Sequence, residues 1–432
     1  MKTPEVILTK ENGTKQPEQI ETIIIGGGQA GLSMSYYLTK QGYEHVVLEQ
    51  TAQAANSWRN YRWDSFTLVT PNWHLRLPGA EYNGSDPNGF MSKAEIVACI
   101  EQYIQRFNLP VRYNTEVIAV EAMSEQQGYL VHTKNKIYKA SNVVVATGYD
   151  QHPKIPAFSN KLSPEITQLH SGAYRNPHLL PGGAVLVVGS AQSGAQITEE
   201  LYRHGRKVFL CVGNAGRMPR HYRGKDITWW LDKLGFFDHT AETFPYPKGE
   251  FSSPHVSGAD GGHTLNLHQF AKDGVMLLGH LKDAIDNTIF LAPDLKGSLA
   301  KADEFEATLV QMIDEYILQN KINAPGEELP ELYDGYDAKV IRHLNLKTAG
   351  ISTVIWATGY KCNFHFIKLP VIDNDGFPMQ QRGVTKYQGL YFLGLPFLHT
   401  LKSGRLLGVG DDAAYIANHI AAKTQPKEIC VP

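Results

Sequence analysis

An α/β fold with two Rossmann-like dinucleotide-binding units is predicted by three features of the sequence. Two apolar runs, Glu21–Ile25 and Ala184–Val188, each stop at a glycine turn that opens a helix-like run. Two further apolar strands end in the same Ala-Thr-Gly-Tyr tetrad, at 146–149 and 357–360. Glycine itself stands at 39 of 432 residues, above the usual ~7%.

The first turn reads Gly26-Gly27-Gly28-Gln29-Ala30-Gly31 and leads into a helical run that Gly42 ends. The strand His45–Leu48 then closes on Glu49, with Gln50 beyond it. Strand, glycine turn, helix, strand and acid together make the G-x-G-x-x-G fingerprint in its full context. Gly26 makes the tight turn, Gly28 lets backbone N–H groups approach a pyrophosphate, and Gly31 lets helix and strand pack. The helix N-terminus supplies the positive end for phosphate. Glu49, 18 residues past Gly31, is placed to accept hydrogen bonds from both ribose hydroxyls of an adenosine. Farther on, Ser92–Phe107 is an amphipathic helix with Ser92 as N-cap and Glu95 completing a capping box. The first tetrad, Ala146-Thr147-Gly148-Tyr149, closes this segment.

The second turn is Gly189-Ser190-Ala191-Gln192-Ser193-Gly194, with the middle glycine relaxed to Ala191. Its second strand, Lys207–Val212, ends without a carboxylate. Arg217 follows in the loop instead, and a cation there suits a 2′-phosphate and favours NADPH over NADH; the plain alternative is a solvated basic loop. Ala215 to Gly297 has weak periodicity and reads as irregular substrate-side structure, before a helical pattern at Glu304–Asn320. The second tetrad, Ala357-Thr358-Gly359-Tyr360, returns the chain to the first unit. A hairpin-like stretch Val371–Met379, a strand Leu390–Leu393 ending at Gly394, and a helix starting near Asp411 complete it. The expected division is a flexible tail at 1–20, first-domain segments at 21–154 and 350–432, and an inserted domain at 155–349.

Composition narrows the class. At ~150 residues per domain the length suggests two or three domains. The 41 basic and 43 acidic residues leave a net charge of −2, which gives nothing to attract nucleic acid. No apolar run approaches the ~18 residues of a membrane span, and the N-terminal stretch lacks a signal-peptide core. Cys99, Cys211, Cys362 and Cys430 are too scattered for a redox pair, a zinc knuckle or a disulfide framework. Neither a metal site nor a nucleophilic triad is indicated. A cytoplasmic setting is expected.

With these pieces in place the sequence resembles the class B flavoprotein monooxygenases, with YUCCA-type and Baeyer–Villiger relatives. The resemblance rests on IIIGGGQAGL with Glu49, Ser57-Trp58-Arg59, the two tetrads, VVGSAQSGAQ and GLYFLGL. It implies FAD at the first turn and NADPH at the second, with the NADPH domain inserted into a split FAD domain. It implies that Gly26, Gly28, Gly31 and Glu49 hold FAD with Trp58 and Arg59 close to it, and that Gly189, Gln192, Ser193 and Gly194 line the NADPH diphosphate with Arg217 for the 2′-phosphate. Gln29, Ala30, Gln50, Thr70, Ala146, Thr147, Gly148, Ser190, Ala357, Thr358, Gly359 and Gly394 are further expected cofactor-binding residues. The active-site Thr-Asn pair of the family appears as Thr70-Pro71-Asn72, so Asn72 takes the catalytic role of holding an oxygenated flavin.

The family signature F-x-G-x-x-x-H-x-x-x-(W/Y/F) is half present. His170 and Tyr174 fit, while Pro164 and Ile166 stand in place of Phe and Gly, which leaves His170 open to a plain linker role. The chemistry implied is reduction of FAD by NADPH, addition of O₂ at C4a, and delivery of one oxygen to a small organic substrate. N-, S-, keto-acid and Baeyer–Villiger oxygenation all stay open. Arg220 to Arg223 is a candidate for positioning an acidic substrate. Rival readings are a flavin-dependent NADPH oxidase or reductase, a single-component halogenase, and a non-enzymatic dinucleotide sensor. Partners are a small molecule and O₂, with a homodimer the assembly considered.

Overall fold

The computed structural model describes residues 16–123, 128–245 and 253–424. Most of the expected tail, 1–15, and Cys430 lie outside the described residues. The tail is shorter than its polar composition suggests, because Glu18, Gln19 and Ile20 already belong to the strand Glu18–Ile25.

That strand is central in a seven-stranded sheet. It pairs in parallel with His45–Leu48 on one side and Ile137–Val145 on the other, so Ile23 sits between Val46 and Val143. The strand Leu390–Phe392 joins the same sheet beside Val143–Val145. Strand residues alternate between faces, and both faces here are covered, which is why the run ETIII is apolar nearly throughout. Ile23 and Ile25 enter one cluster with Val143, Val145, Leu390 and Phe392. Ile24 enters the opposite cluster with Met34, Leu38, Ile416 and Ile420, contributed by the helices Gln29–Gln41 and Val409–Thr424. The helix Lys93–Phe107 carries the expected capping box between Ser92 and Glu95.

The second sheet has five parallel strands in the order Thr167–His170, Ile351–Trp356, Ala184–Val188, Val208–Cys211 and Met276–Leu278. One sequence expectation changes here. Ala215–Gly297 is not wholly irregular, since Met276–Leu278 is an edge strand paired with Phe209–Cys211. Ile351–Trp356 lies between two strands of this sheet, although the expected division places it beyond the boundary at 349/350. The long helix also starts earlier than its periodicity indicates, at Leu295, and runs to Gln319.

The two stretches that cross between the sheets lie side by side, with Tyr360 opposite Pro153 and Lys361 opposite His152. His170 belongs to this joint. One ring nitrogen contacts the Gly359 carbonyl at 2.9 Å and the other accepts from the Gly172 N–H at 3.1 Å. Burial holds its pKa below the usual histidine value, and its linker role is the one the contacts support. Among the described residues no helix is long and apolar enough to cross a membrane.

Candidate active-site cleft

Steric rules build the first turn. Gly26 has φ +112, and a Cβ there would lie 2.5 Å from the Ala146 carbonyl oxygen. A Cβ on Gly31 would lie 2.0 Å from the Gly26 carbonyl oxygen, so the helix–strand contact excludes any side chain. Gly28 differs. Its φ of −87 suits any residue, and an added Cβ would meet nothing within 4 Å. No protein atom requires glycine there; the small residue keeps clear the space in front of a helix N-terminus. That terminus has no side-chain cap and no acid in its first turn. Backbone donors without a capping side chain, facing a cradle that a Cβ would narrow, fit a dinucleotide diphosphate.

Glu49 fits the same ligand with less capacity than its position suggests. One carboxylate oxygen accepts from the Gly27 N–H at 2.8 Å. The other accepts from the Thr51 N–H at 2.9 Å and the Thr51 hydroxyl at 2.6 Å. Three of roughly four acceptor sites on a carboxylate are therefore taken. Glu49 in this arrangement holds the turn's shape and retains room for one ribose hydroxyl rather than both.

The turn opens on a cleft of about 1060 Å³. Its lining includes Gly26, Gly28, Gln29, Ala30, Glu49, Gln50, Trp58, Thr70, Ala146, Thr147, Gly148 and Gly394. Gly31 stays behind, packing the helix onto the strand.

Arg59 does not face the cleft. Its Nε donates to the Ala54 carbonyl at 3.0 Å and its guanidinium pairs with Glu101. Arg62 is on the wall instead, 5.4 Å from the Trp58 ring and paired with Asp150 at 2.8 Å.

Asn72 is also misplaced for a catalytic group. It is buried off the cleft, with Nδ2 donating to the Asp86 carbonyl at 2.9 Å and Oδ1 accepting from the Met91 N–H at 2.8 Å. The proline between Thr70 and Asn72 sets the side chain into the loop 86–91 rather than into the site. His74, two residues on, does line the cleft, as does Arg405 from the stretch before the last helix. Sequence reasoning missed both. The only signal was a histidine and an arginine set among aromatic, glycine and leucine neighbours. Burial, with Arg76 and Arg405 nearby, pushes the His74 pKa down to about 3, so its ring is neutral near pH 7.

The second turn repeats the steric frame. Gly189 has φ +101 and a Cβ there would lie 2.6 Å from the Ala357 carbonyl oxygen; at Gly194 it would lie 1.8 Å from that of Gly189. Ala357 thus backs this turn as Ala146 backs the first. The next residues of the second tetrad serve the joint. Thr358 donates to the Lys154 carbonyl, and the Gly359 carbonyl accepts from the Lys154 N–H at 2.9 Å.

Around the turn, Ser190 Oγ accepts from the Gly213 N–H at 2.9 Å. The Gln192 side chain donates to the Val256 carbonyl, and Ser193 is half-buried in the first turn of the helix Gln192–Arg203. Arg217 is not available to a 2′-phosphate. It is buried, 2.6 Å from Asp303 and 2.6 Å from Glu306. Burial alone would lower its pKa, but those two carboxylates hold it above the usual value. Arg220 is likewise structural rather than substrate-facing. It is buried under the Phe90 ring and bonded to the Val69 carbonyl at 2.8 Å and to Asp226 at 2.6 Å.

A mixed sheet with a parallel centre, a parallel five-stranded sheet, two matched glycine turns and a cleft at one of them make the frame of an oxidoreductase. The comparisons give the family. The profile described as "Pyridine nucleotide-disulphide oxidoreductase" matches residues 23–231. An "Uncharacterized oxidoreductase CzcO-like" from Geobacillus kaustophilus is 36% identical over 403 residues, covering 93% of this chain and 98% of that one. The probable indole-3-pyruvate monooxygenase YUCCA4 of Arabidopsis thaliana is 29% identical over 47% of this chain and 49% of its own length. Among solved structures, a flavin-containing monooxygenase from Stenotrophomonas maltophilia superposes with a TM-score of 0.65 at 19% identity, covering 94% of this chain and all of that one. The chain belongs with the CzcO-type oxidoreductases, and its fold is the one seen in solved flavin-containing monooxygenases.

Proposed function

We propose that the cleft at Gly26–Gly31 holds FAD, that the turn at Gly189–Gly194 receives NADPH, and that the chain inserts one oxygen of O₂ into a small organic substrate. The observation that carries this is Gly28: a glycine with ordinary φ, where an added Cβ would meet nothing within 4 Å, in front of an uncapped helix on a cleft of about 1060 Å³. The FAD domain would be split around the NADPH domain, with the second crossing after Trp356. Bound FAD supplies hydride acceptance and O₂ activation; the protein supplies orientation and exclusion. The helix N-terminus and Gly28 would take the diphosphate, Glu49 one ribose hydroxyl, and Trp58, Thr70 and His74 the walls of the reacting end. The neutral His74 brings no acidic proton to that end, which suits a site that must keep stray protons away. Asn72 has no part in this reading.

The test is a purified protein assayed for bound flavin, reduced anaerobically with NADPH and then mixed with O₂ in a stopped-flow spectrometer. A transient spectrum distinct from both oxidised and reduced flavin supports oxygen insertion. Immediate reoxidation with one H₂O₂ per NADPH turns the reading to an oxidase, and NADPH binding without flavin reduction turns it to a sensor.

A further inference from the structure

The charged groups on the cleft wall are paired, with one exception. Glu49 is held by Gly27 and Thr51, Arg62 pairs with Asp150, and Glu116 pairs with Lys134. Among the described residues no carboxylate, hydroxyl or carbonyl meets the guanidinium of Arg405. Its closest ring contact is Phe237, 5.9 Å away. Leu68, Pro396, Leu406 and Leu407 make the nearby wall apolar. Beside it His74 is 4% exposed, and its Nε2 is buried without a hydrogen-bond partner. The buried His74 nitrogen is costly to leave unsatisfied, and the half-buried Arg405 beside it, with no polar partner among the described residues, is free to meet a ligand.

We propose that Arg405, with His74 beside it, is an anion-recognising subsite of the cleft, and that it selects a small organic acid through the carboxylate. This rests on the cleft being the flavin site. Two anions share the required chemistry, the carboxylate of a substrate and the diphosphate of the dinucleotide. The backbone separates them. The Gly404 carbonyl faces the glycine turn, where it accepts from Gln29 Nε2 at 2.9 Å, whereas the Arg405 guanidinium turns to Phe237 and His74. Arg405 is thus a specificity residue at the reacting end, and a planar guanidinium suits a carboxylate held by two parallel hydrogen bonds.

Calorimetry on the purified protein tests this with phenylacetate and propionate, each against its neutral amide. Flavin absorbance per chain is measured separately. At least one acid is expected to bind tenfold or more tightly than its amide in the wild type. Arg405→Met is expected to remove that preference with flavin content unchanged, and Arg405→Lys to keep part of it. Where Arg405→Met does not fold, Arg405→Gln carries the same expectation. Equal binding of acid and amide in the wild type overturns the proposal, as does a preference that survives loss of the charge. Flavin lost in Arg405→Met and restored in Arg405→Lys also overturns it and assigns the residue to the diphosphate. A wild type without flavin that still prefers the acid leaves the subsite standing and removes the flavin reading alone.

Discussion

At Gly31 an added Cβ would lie 2.0 Å from the carbonyl oxygen of the turn's first glycine, and at Gly194 it would lie 1.8 Å from the same atom of its own turn. At Gly26 and Gly189 the obstacle is again equivalent, the carbonyl oxygen of Ala146 or Ala357. The two turns are therefore one backbone solution used twice. They differ where a ligand would be met. The middle position is Gly28 in one and Ala191 in the other. The first turn is tied by a buried carboxylate making three hydrogen bonds, the second by neutral side chains, Ser190 accepting from Gly213 and Gln192 donating to Val256. Sterics fix what must be glycine for the fold; the remaining positions are where the two turns are free to differ.

Arg217 stands closest to the role of an opposite-charge counterpart to Glu49, and its removal should have the largest effect. Arg217→Met leaves Asp303 and Glu306 without their cation and should cost about 3–5 kcal/mol, read by denaturant unfolding. The NADPH-to-NADH ratio of flavin reduction should not move. A ratio that fell toward one with stability intact would restore Arg217 to the phosphate and break the comparison. The same cluster carries a pH signature. Burial works to raise the Asp303 carboxyl, but hydrogen bonds from His268, Tyr336 and Arg217 outweigh it and hold the pKa at about 2. A carboxylate with a depressed pKa contributes stability above its free value of 3.8 and loses it as pH falls through about 2. Acid unfolding of the wild type should show that loss, and Arg217→Met should show less of it.

Gly31→Ala and Gly194→Ala come next. Each forces backbone apart and should cost about 1–3 kcal/mol. The comparison is sharpened by which ligand is lost. Gly31→Ala should purify with little flavin. Gly194→Ala should keep its flavin and show an NADPH KM raised about tenfold or more, as a loss near 1.4 kcal/mol implies. Loss of flavin in both would mean that the second turn acts only through global stability.

These cases also show what the sequence could reveal. The turns, the capping box at Ser92 and the strand Leu390–Phe392 were legible because their causes are local: a glycine, a cap or an apolar run acts on its immediate neighbours. Arg59, Asn72 and Arg217 were not legible, because remote partners decide where each side chain points. Arg59 finds Glu101 at 42 positions' distance, and Arg217 finds Asp303 and Glu306 at 86 and 89. The sheet that Ile351–Trp356 joins was not legible for a related reason, since a strand's sheet is chosen by pairing that its own residues do not encode. Arg405 escaped notice because what marks it is the lack of a partner, and that shows only once the surrounding chain is in place.

The tie residues give a third and smaller contrast. Glu49→Ala strips three bonds to an ionised acceptor; each such bond contributes about 1.5–3 kcal/mol net, and the half-buried Thr51 donors can turn to water instead. A net loss of about 2 kcal/mol with weakened flavin retention is expected. Ser190→Ala removes one neutral acceptor and should cost about 1 kcal/mol. Thermal unfolding of the pair in parallel checks the order. If Ser190→Ala proved the more damaging, the acid at the first turn would be a ligand contact more than a structural tie.

The smallest effect on stability should accompany the most informative effect on binding. Gly28→Ala places a methyl where no protein atom lies within 4 Å, at a backbone conformation alanine adopts freely, so stability should stay within about 0.5 kcal/mol. Flavin affinity should nevertheless fall about tenfold, a loss near 1.4 kcal/mol from a diphosphate held off its backbone donors. Ala191→Gly at the matching position should leave NADPH binding no weaker, because its methyl is already tolerated there. A Gly28→Ala protein that kept full flavin affinity would show that the space at Gly28 serves no ligand. A Gly28→Ala protein that unfolded would show a steric demand from within the chain, and either result would leave the two middle positions without a functional distinction.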